Sequence, residues 1–213
     1  MQRAVDTVRA SLQAASCKLP ARRMMSIIEN ALTALRRGEI IGLPTDTVYG
    51  IAADPWDRSA VERLFAAKGR SGLKPIPILV ADVEQAGSIA VLSEPAGRLA
   101  ARHWPGGLTL VLRRVAGLAE WIGDPEQDTV GVRVPDHPAA LALLETAGPL
   151  AVTSANRSGG VAAGDDRAAR RLLGSAVSVY VPGGGGGAAS TVVDFTGSVA
   201  EVLRPGPVDV EVP

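Results

Sequence analysis

The sequence predicts a single α/β domain: an open, twisted, mixed parallel/antiparallel sheet flanked by helices. Three observations carry that expectation. Short apolar runs alternate with amphipathic runs at helical spacing along the whole chain, the pattern of strand–helix crossover units. Hydrophobic residues make up 46% and aromatics only 3%, so the core must be Val, Leu, Ile and Ala, which suits buried strands. No composition break marks a linker, no internal repeat is visible, and 213 residues fit one domain. Most connections should be crossovers, with hairpins near the C-terminus, and ligands should sit beyond strand ends.

In chain order, residues 1–25 read as an N-terminal extension and 26–213 as the domain. The extension carries Arg3, Arg9, Lys18, Arg22 and Arg23 against Asp6. A targeting peptide has that bias, but the segment lacks a secretory apolar core. A flexible leader, or a true start at Met24 or Met25, is therefore preferred. Ser26–Glu29 is a capping box that opens a helix carrying Ile28, Ala31, Leu32 and Leu35, stopped at Gly38. Ile40–Leu43 is a buried strand ended by Pro44. Ser59–Glu62 is a second capping box, for a helix running to Lys68-Gly69-Arg70. Ile78–Val80 is a strand, and Asp82 and Ser93 cap two helices, the second reaching Trp104. Leu108–Leu112 is a strand, 114–128 a loop, and Thr129–Val134 a strand. Pro138–Thr146 is a helix with proline in its first turn and Gly148 beyond its end. Strand Leu150–Thr153, helix Asp166–Leu173 and strand Val177–Val181 follow, then five glycines, Gly183–Gly187. Thr191–Phe195 and Val199–Leu203 close the chain as a strand pair.

Lys plus Arg equals Asp plus Glu at 22 each, so net charge points to neither nucleic acid nor membrane, although a local basic patch is compatible with it. The single Cys17 excludes an internal disulfide and any cysteine-built metal cluster. His103 and His137 lack the neighbours that a metal site needs. No protein-built metal site and no prosthetic group is expected. No apolar run is long enough to cross a bilayer, and a cytoplasmic location is expected.

Candidate chemistry gathers where elements end. Lys68 and Arg70, with Lys74 close by, share a side of an extended backbone and could converge on a polyanion, Arg adding a planar fork; a solvated basic helix end is the alternative. Thr45, Asp46 and Thr47 follow one buried strand, and Thr153, Ser154 and Asn156 another. Each cluster is either a substrate pocket or a local turn. Arg133 interrupts an apolar strand, so it either faces solvent or grips a carboxylate. The glycine run has no Lys-Ser or Lys-Thr after it, as a phosphate-binding loop would; a flexible tether is the simpler reading. Cations for phosphates, an arginine for a carboxylate and hydroxyls for a small polar molecule together suit ATP plus an amino acid.

The residues Pro44-Thr45-Asp46-Thr47-Val48-Tyr49-Gly50, Lys68-x-Arg70, Trp104-Pro105-Gly106 with Leu108-Thr109, Val132-Arg133-Val134-Pro135 with His137-Pro138, Ser154-x-Asn156, Ser190–Asp194 and Leu203-Arg204-Pro205-Gly206 occur in that order. Their ordered set resembles the YrdC/Sua5 family, the threonylcarbamoyl-AMP synthases, in its short single-domain form. The resemblance implies a YrdC-like fold and a nucleotidyltransferase that makes threonylcarbamoyl-AMP and pyrophosphate from L-threonine, bicarbonate and ATP. The product feeds the t6A37 modification of tRNA through downstream tRNA threonylcarbamoyl-transfer proteins. By the same resemblance Thr47, Arg133, Ser154 and Ser190 hold threonine. Arg70, Lys74, Thr129, Asn156 and Arg204 hold ATP, Lys68 sits at the triphosphate, and Lys68 and Arg70 are the catalytic cations. Mg²⁺ is expected with the ATP. The residues offer no side chain that can be assigned as a base.

Several positions depart from the family pattern. Lys74-Pro75-Ile76 and Leu79 stand where many members have Asn-Pro-Leu and a histidine. Ser71 and Gly107 replace prolines. Ala163-Gly164-Asp165 replaces a Ser-Pro-Thr, and the glycines replace a more ordered loop, which is expected to form a mobile lid. Two other readings compete. One is a double-stranded RNA or tRNA-binding module, using Lys68, Arg70, Lys74, Arg133 and Arg204 as a basic face. The other is a relative that handles carbamoyl-adenylate in hydrogenase maturation, against which the single cysteine argues.

Overall fold

The computed structural model describes residues 20–69 and 75–211. The expected strands and helices are present, as one ten-stranded mixed sheet with helices on both faces.

Helix α1 spans Ala21–Arg36 and starts five residues before the expected Ser26 box. The reason is the apolar stripe: Met24 is buried one turn upstream of Ile28, Ala31, Leu32 and Leu35, while Ser26 is exposed. Pro20, with φ of −55°, precedes the first turn without a side-chain cap and is pre-set for a helix start. Strands β1 (Ile41–Leu43) and β2 (Gly50–Ala53) form an antiparallel pair around the 44–49 loop. Helix α2 (Arg58–Ala67) is capped by Asp57, not by Ser59: the Asp57 carboxylate accepts from the Ser59 and Ala60 amides. Next come β3 (Ile78–Leu79), α3 (Val83–Gly87), β4 (Ala90–Val91) and α4 (Glu94–His103), with Asp82 and Ser93 capping as expected. Strand β5 (Leu108–Arg114) runs two residues further than expected, into the 114–128 segment. Then follow β6 (Thr129–Arg133), α5 (Pro138–Ala147), β7 (Leu150–Ser154), α6 (Asp166–Leu173), β8 (Val179–Tyr180), β9 (Thr191–Asp194) and β10 (Glu201–Arg204).

The sheet order is β10-β9-β5-β6-β3-β7-β2-β1-β8, with β4 on β5. Six of these nine pairings are antiparallel and three parallel. Antiparallel pairing is thus spread through the sheet rather than confined to the C-terminal end. One face carries Ile41, Leu43, Ala52, Leu79, Leu150 and Val152, packed against α1 and α5. The other carries Ile51, Ala53, Ile78, Leu108, Leu110, Leu112, Val130 and Val132, packed against α2, α4 and α6. Leu64 of α2 is fully buried in this second layer, where truncation to Ala removes about 2–5 kcal/mol.

Gly42 is required by a close approach. A Cβ there would stand 2.6 Å from the Tyr49 hydroxyl oxygen and 2.9 Å from the Tyr180 ring. The bare position lets the Tyr49 hydroxyl donate to the Val181 carbonyl at 2.8 Å. Burial raises the Tyr49 pKa far above the usual phenol range, so it stays a donor and ties the turn after β1 to the sheet edge.

Candidate active site

A cavity of about 200 Å³ lies on the α1/α5 face of the sheet, smaller than the roughly 300–1,000 Å³ of pockets that take drug-sized ligands. Strand register puts Gly50, Ser154, Val152, Leu79, Arg133 and Thr109 on that face, and all six line the cavity. The site is therefore on the sheet, under the 44–49 loop, rather than beyond strand ends as expected. The loop folds back across the face because β2 returns antiparallel to β1.

Arg133, at the end of β6, is buried and grips a carboxylate. Its Nη2 is bonded to Asp46 Oδ1, its Nη1 donates to Thr47 Oγ1 at 2.6 Å and its Nε donates to the Gly106 carbonyl at 2.8 Å. Asp46 also accepts from the Asp136 amide at 2.9 Å. Burial pulls the Arg133 pKa down, and the Asp46 carboxylate opposes this; an arginine remains charged under that balance. The hydroxyl directions follow from having one proton each. Thr45 Oγ1 donates to the Val48 carbonyl at 2.7 Å, so Thr47 donates to Thr45 at 3.0 Å and accepts from Arg133. The Thr45-Asp46-Thr47 turn is both local turn and pocket wall.

Lys68, the last residue before the positive-φ Gly69, is buried rather than solvated. Its Nζ donates to the Ser154 carbonyl and to Asn156 Oδ1 at 2.9 Å, and lies 3.4 Å from Ser154 Oγ. Ser154 Oγ donates to Asn156 Oδ1 at 2.6 Å, and Asn156 Nδ2 donates to the Arg157 and Gly160 carbonyls. The amide oxygen accepts twice and the nitrogen donates twice, which uses the side chain fully. The α2 end and the turn after β7 are locked together by this hub.

Ser190 enters just before β9. Its Oγ pairs with Thr109 Oγ1 at 2.7 Å and accepts from Arg204 Nη2 at 3.1 Å, while Arg204 Nε donates to the Ser190 carbonyl at 3.0 Å. Thr47, Arg133, Ser154, Ser190 and Arg204 all line the one cavity. Asn156 and Lys68 join it through Ser154. Thr129 is not at the cavity. It shares the sheet face with Arg133, four residues away, about 13 Å along the strand. Gly131 between them presents no side chain, and Val111, Gly131 and Val192 leave that face half-buried. Arg70 and Lys74 lie outside the described residues.

The basic face proposed for RNA is not assembled as expected. Lys68 and Arg133 are buried and turned inward. Sequence reasoning passed over Thr109 as a site residue. The signal was present: a lone hydroxyl in the apolar strand Leu108-Thr-Leu-Val-Leu. It also left the partner of Arg133 unnamed, because the 87-residue separation from Asp46 carries no periodic signal.

The Sua5/YciO/YrdC family model, described as "Telomere recombination", matches residues 33–206. The chain belongs to the Sua5/YciO/YrdC family. A Mycobacterium tuberculosis member is 42% identical over 198 residues, covering 92% of this chain and 90% of its own. The Bacillus subtilis threonylcarbamoyl-AMP synthase is 39% identical over 143 residues, 62% of this chain and 39% of its own. Among solved structures, P. abyssi Sua5 complexed with L-threonine superposes with a TM-score of 0.79 at 38% identity, covering 84% of this chain and 54% of that one. E. coli YciO does so at 0.80 and 27%, covering 87% and 92%. The Sua5/YciO/YrdC fold accounts for the mixed sheet with helices on both faces.

Proposed function

We propose that this chain makes threonylcarbamoyl-AMP and pyrophosphate from L-threonine, bicarbonate and ATP, as a nucleotidyltransferase upstream of t6A37 modification of tRNA. The observation that carries this reading is the amino-acid-sized cavity with Arg133 at its wall and Thr47, Thr109 and Ser190 around it. The remaining N–H groups of Arg133 and the one hydroxyl proton of the Thr109–Ser190 pair not spent within it are donors for the threonine carboxylate. ATP is too large for that space, so it extends out of the cavity over the half-buried surface at Val111, Gly131 and Val192; Thr129, beyond Gly131, is itself buried. Arg204 and Lys68 flank the junction. Arg70 and Lys74 are assigned to the same nucleotide, and Asn156 holds Lys68.

The reaction needs positioning more than covalent catalysis. Threonine nitrogen adds to the carbon of bicarbonate-derived CO₂ and loses a proton, giving a carbamate. A carbamate oxygen then attacks the α-phosphorus. The bond from that phosphorus to the bridging oxygen breaks, and pyrophosphate leaves with the electron pair. Lys68, Arg70 and Arg204 offset the charge that develops. Mg²⁺ enters with the nucleotide substrate, bound chiefly through its phosphates. The adenylate goes to the tRNA threonylcarbamoyl-transfer proteins.

The test is the mass of the product formed with isotopically labelled bicarbonate. A threonylcarbamoyl-adenylate carrying the label is expected; ATP hydrolysis to AMP without it would overturn the reading.

A further inference from the structure

The glycine run is held by its backbone. Gly183 N–H donates to Asp166 Oδ1 at 3.2 Å, and its carbonyl accepts from the Asp166 amide at 3.1 Å. Gly185 N–H donates to the Gly164 carbonyl at 2.8 Å, and Gly187 N–H to the Thr47 carbonyl at 2.6 Å. Neither a slack tether nor an open lid has those partners. The run also lies against the substrate loop too closely for any side chain. A Cβ on Gly186 would stand 2.1 Å from the Asp46 carbonyl oxygen. One on Gly185 would stand 2.7 Å from Tyr49 N and from Val48 C and Cα. Distances under about 3 Å to backbone cannot be relieved by rotating a side chain.

We infer that Gly185 and Gly186 are positioning residues for the amino-acid substrate: their bare backbone is the template against which the Asp46–Thr47 segment is set, and through it the Arg133 guanidinium is aimed into the cavity. The chain of contacts is short. Gly186 abuts Asp46, whose carboxylate holds Arg133 Nη2, and Gly187 fixes the Thr47 peptide, whose hydroxyl takes Arg133 Nη1. A displaced Asp46 moves the cation that receives the substrate carboxylate and leaves the Lys68–Ser154–Asn156 hub untouched. The Ala163-Gly164-Asp165 segment serves the same assembly. The Ala163 carbonyl accepts from the Tyr49 amide, and the Gly164 carbonyl accepts from Gly185.

This inference rests on the proposed reaction for its kinetic readout but not for its structural one. In the full chain, hydrogen exchange should find the Gly185 and Gly187 amides protected without any substrate. Exchange at the rate of a free glycine linker would overturn the inference whatever the enzyme's activity. In pyrophosphate release, Gly186→Ala should raise the threonine KM by about tenfold or more, the scale of a misplaced binding group, with the ATP KM within about twofold. Gly87→Ala, whose added Cβ meets nothing within 4 Å, should change neither. A rise of both Michaelis constants together, or no change in either for Gly186→Ala, would overturn the positioning role. Wild-type protein that releases no threonine-dependent pyrophosphate would instead count against the proposed reaction.

Discussion

At the scale of residues, the site is a set of polar groups already engaged with one another. Arg133 and Asp46 form a pair with side-chain exposures of 6% and 19%. Removing one partner of such a pair leaves an uncompensated charge, so Asp46→Ala should cost about 3 kcal/mol or more of stability. Adding Arg133→Met to it should recover part of that loss. The midpoint of urea unfolding reads both; if the double variant were less stable than Asp46→Ala, burial of the cation would not be the cause. His137 gives a pH dependence. Its Nδ1 accepts from the Ala139 amide at 3.2 Å, which caps α5 and needs the neutral ring. Burial lowers its pKa below the ordinary 6.5, against the pull of Asp46 and Asp136. The folded state therefore binds this proton less readily than the unfolded chain. The contribution is intact above about pH 6.5 and is lost progressively as pH falls toward the folded pKa. His137→Asn keeps a cap acceptor and should flatten the fall of thermal midpoint with pH in that window. An unchanged slope would exclude His137 as its source.

Among the elements, what was legible is what short-range chemistry writes. Asp82, Ser93 and the helix Asp166–Leu173 were readable because a capping side chain meets an apolar stripe within a few residues. The start of α1 was misplaced because Ser26 imitates a cap while Met24 extends the stripe behind it. The start of α2 was read from the Ser59 box, but Asp57, two residues earlier, is the cap, its carboxylate accepting from the Ser59 and Ala60 amides. Asp57→Ala should then cost about 1 kcal/mol in thermal or urea unfolding, while Ser59→Ala costs much less; equal losses would return the cap to Ser59. Strands β2 and β4 were not legible. Gly50–Ala53 is buried on both faces and lacks alternation, and Ala90–Val91 is two residues long. The glycines were misread for a related reason: composition reports what a segment could do alone, whereas their conformation is set by the loop they touch.

Across the whole molecule, the sheet explains how residues over 150 positions apart come to one place. β1 and β2 turn back on themselves, β6 and β7 flank β3, and β9 lies beside β5, so Thr47, Arg133, Ser154, Ser190 and Arg204 line a single cavity. The resemblance in motifs made that grouping readable in advance. It did not reveal that the cavity sits on the sheet face, which follows from strand register alone. No helix among the described residues is long and apolar enough to cross a membrane. In the proposed reaction the nucleophile at the α-phosphorus is the threonine carbamate, so nucleotide cleavage must wait for the amino acid. The direct measurement is pyrophosphate release from ATP with threonine and bicarbonate omitted in turn. Release that requires both is the predicted result; release that persists at full rate without threonine would contradict the account.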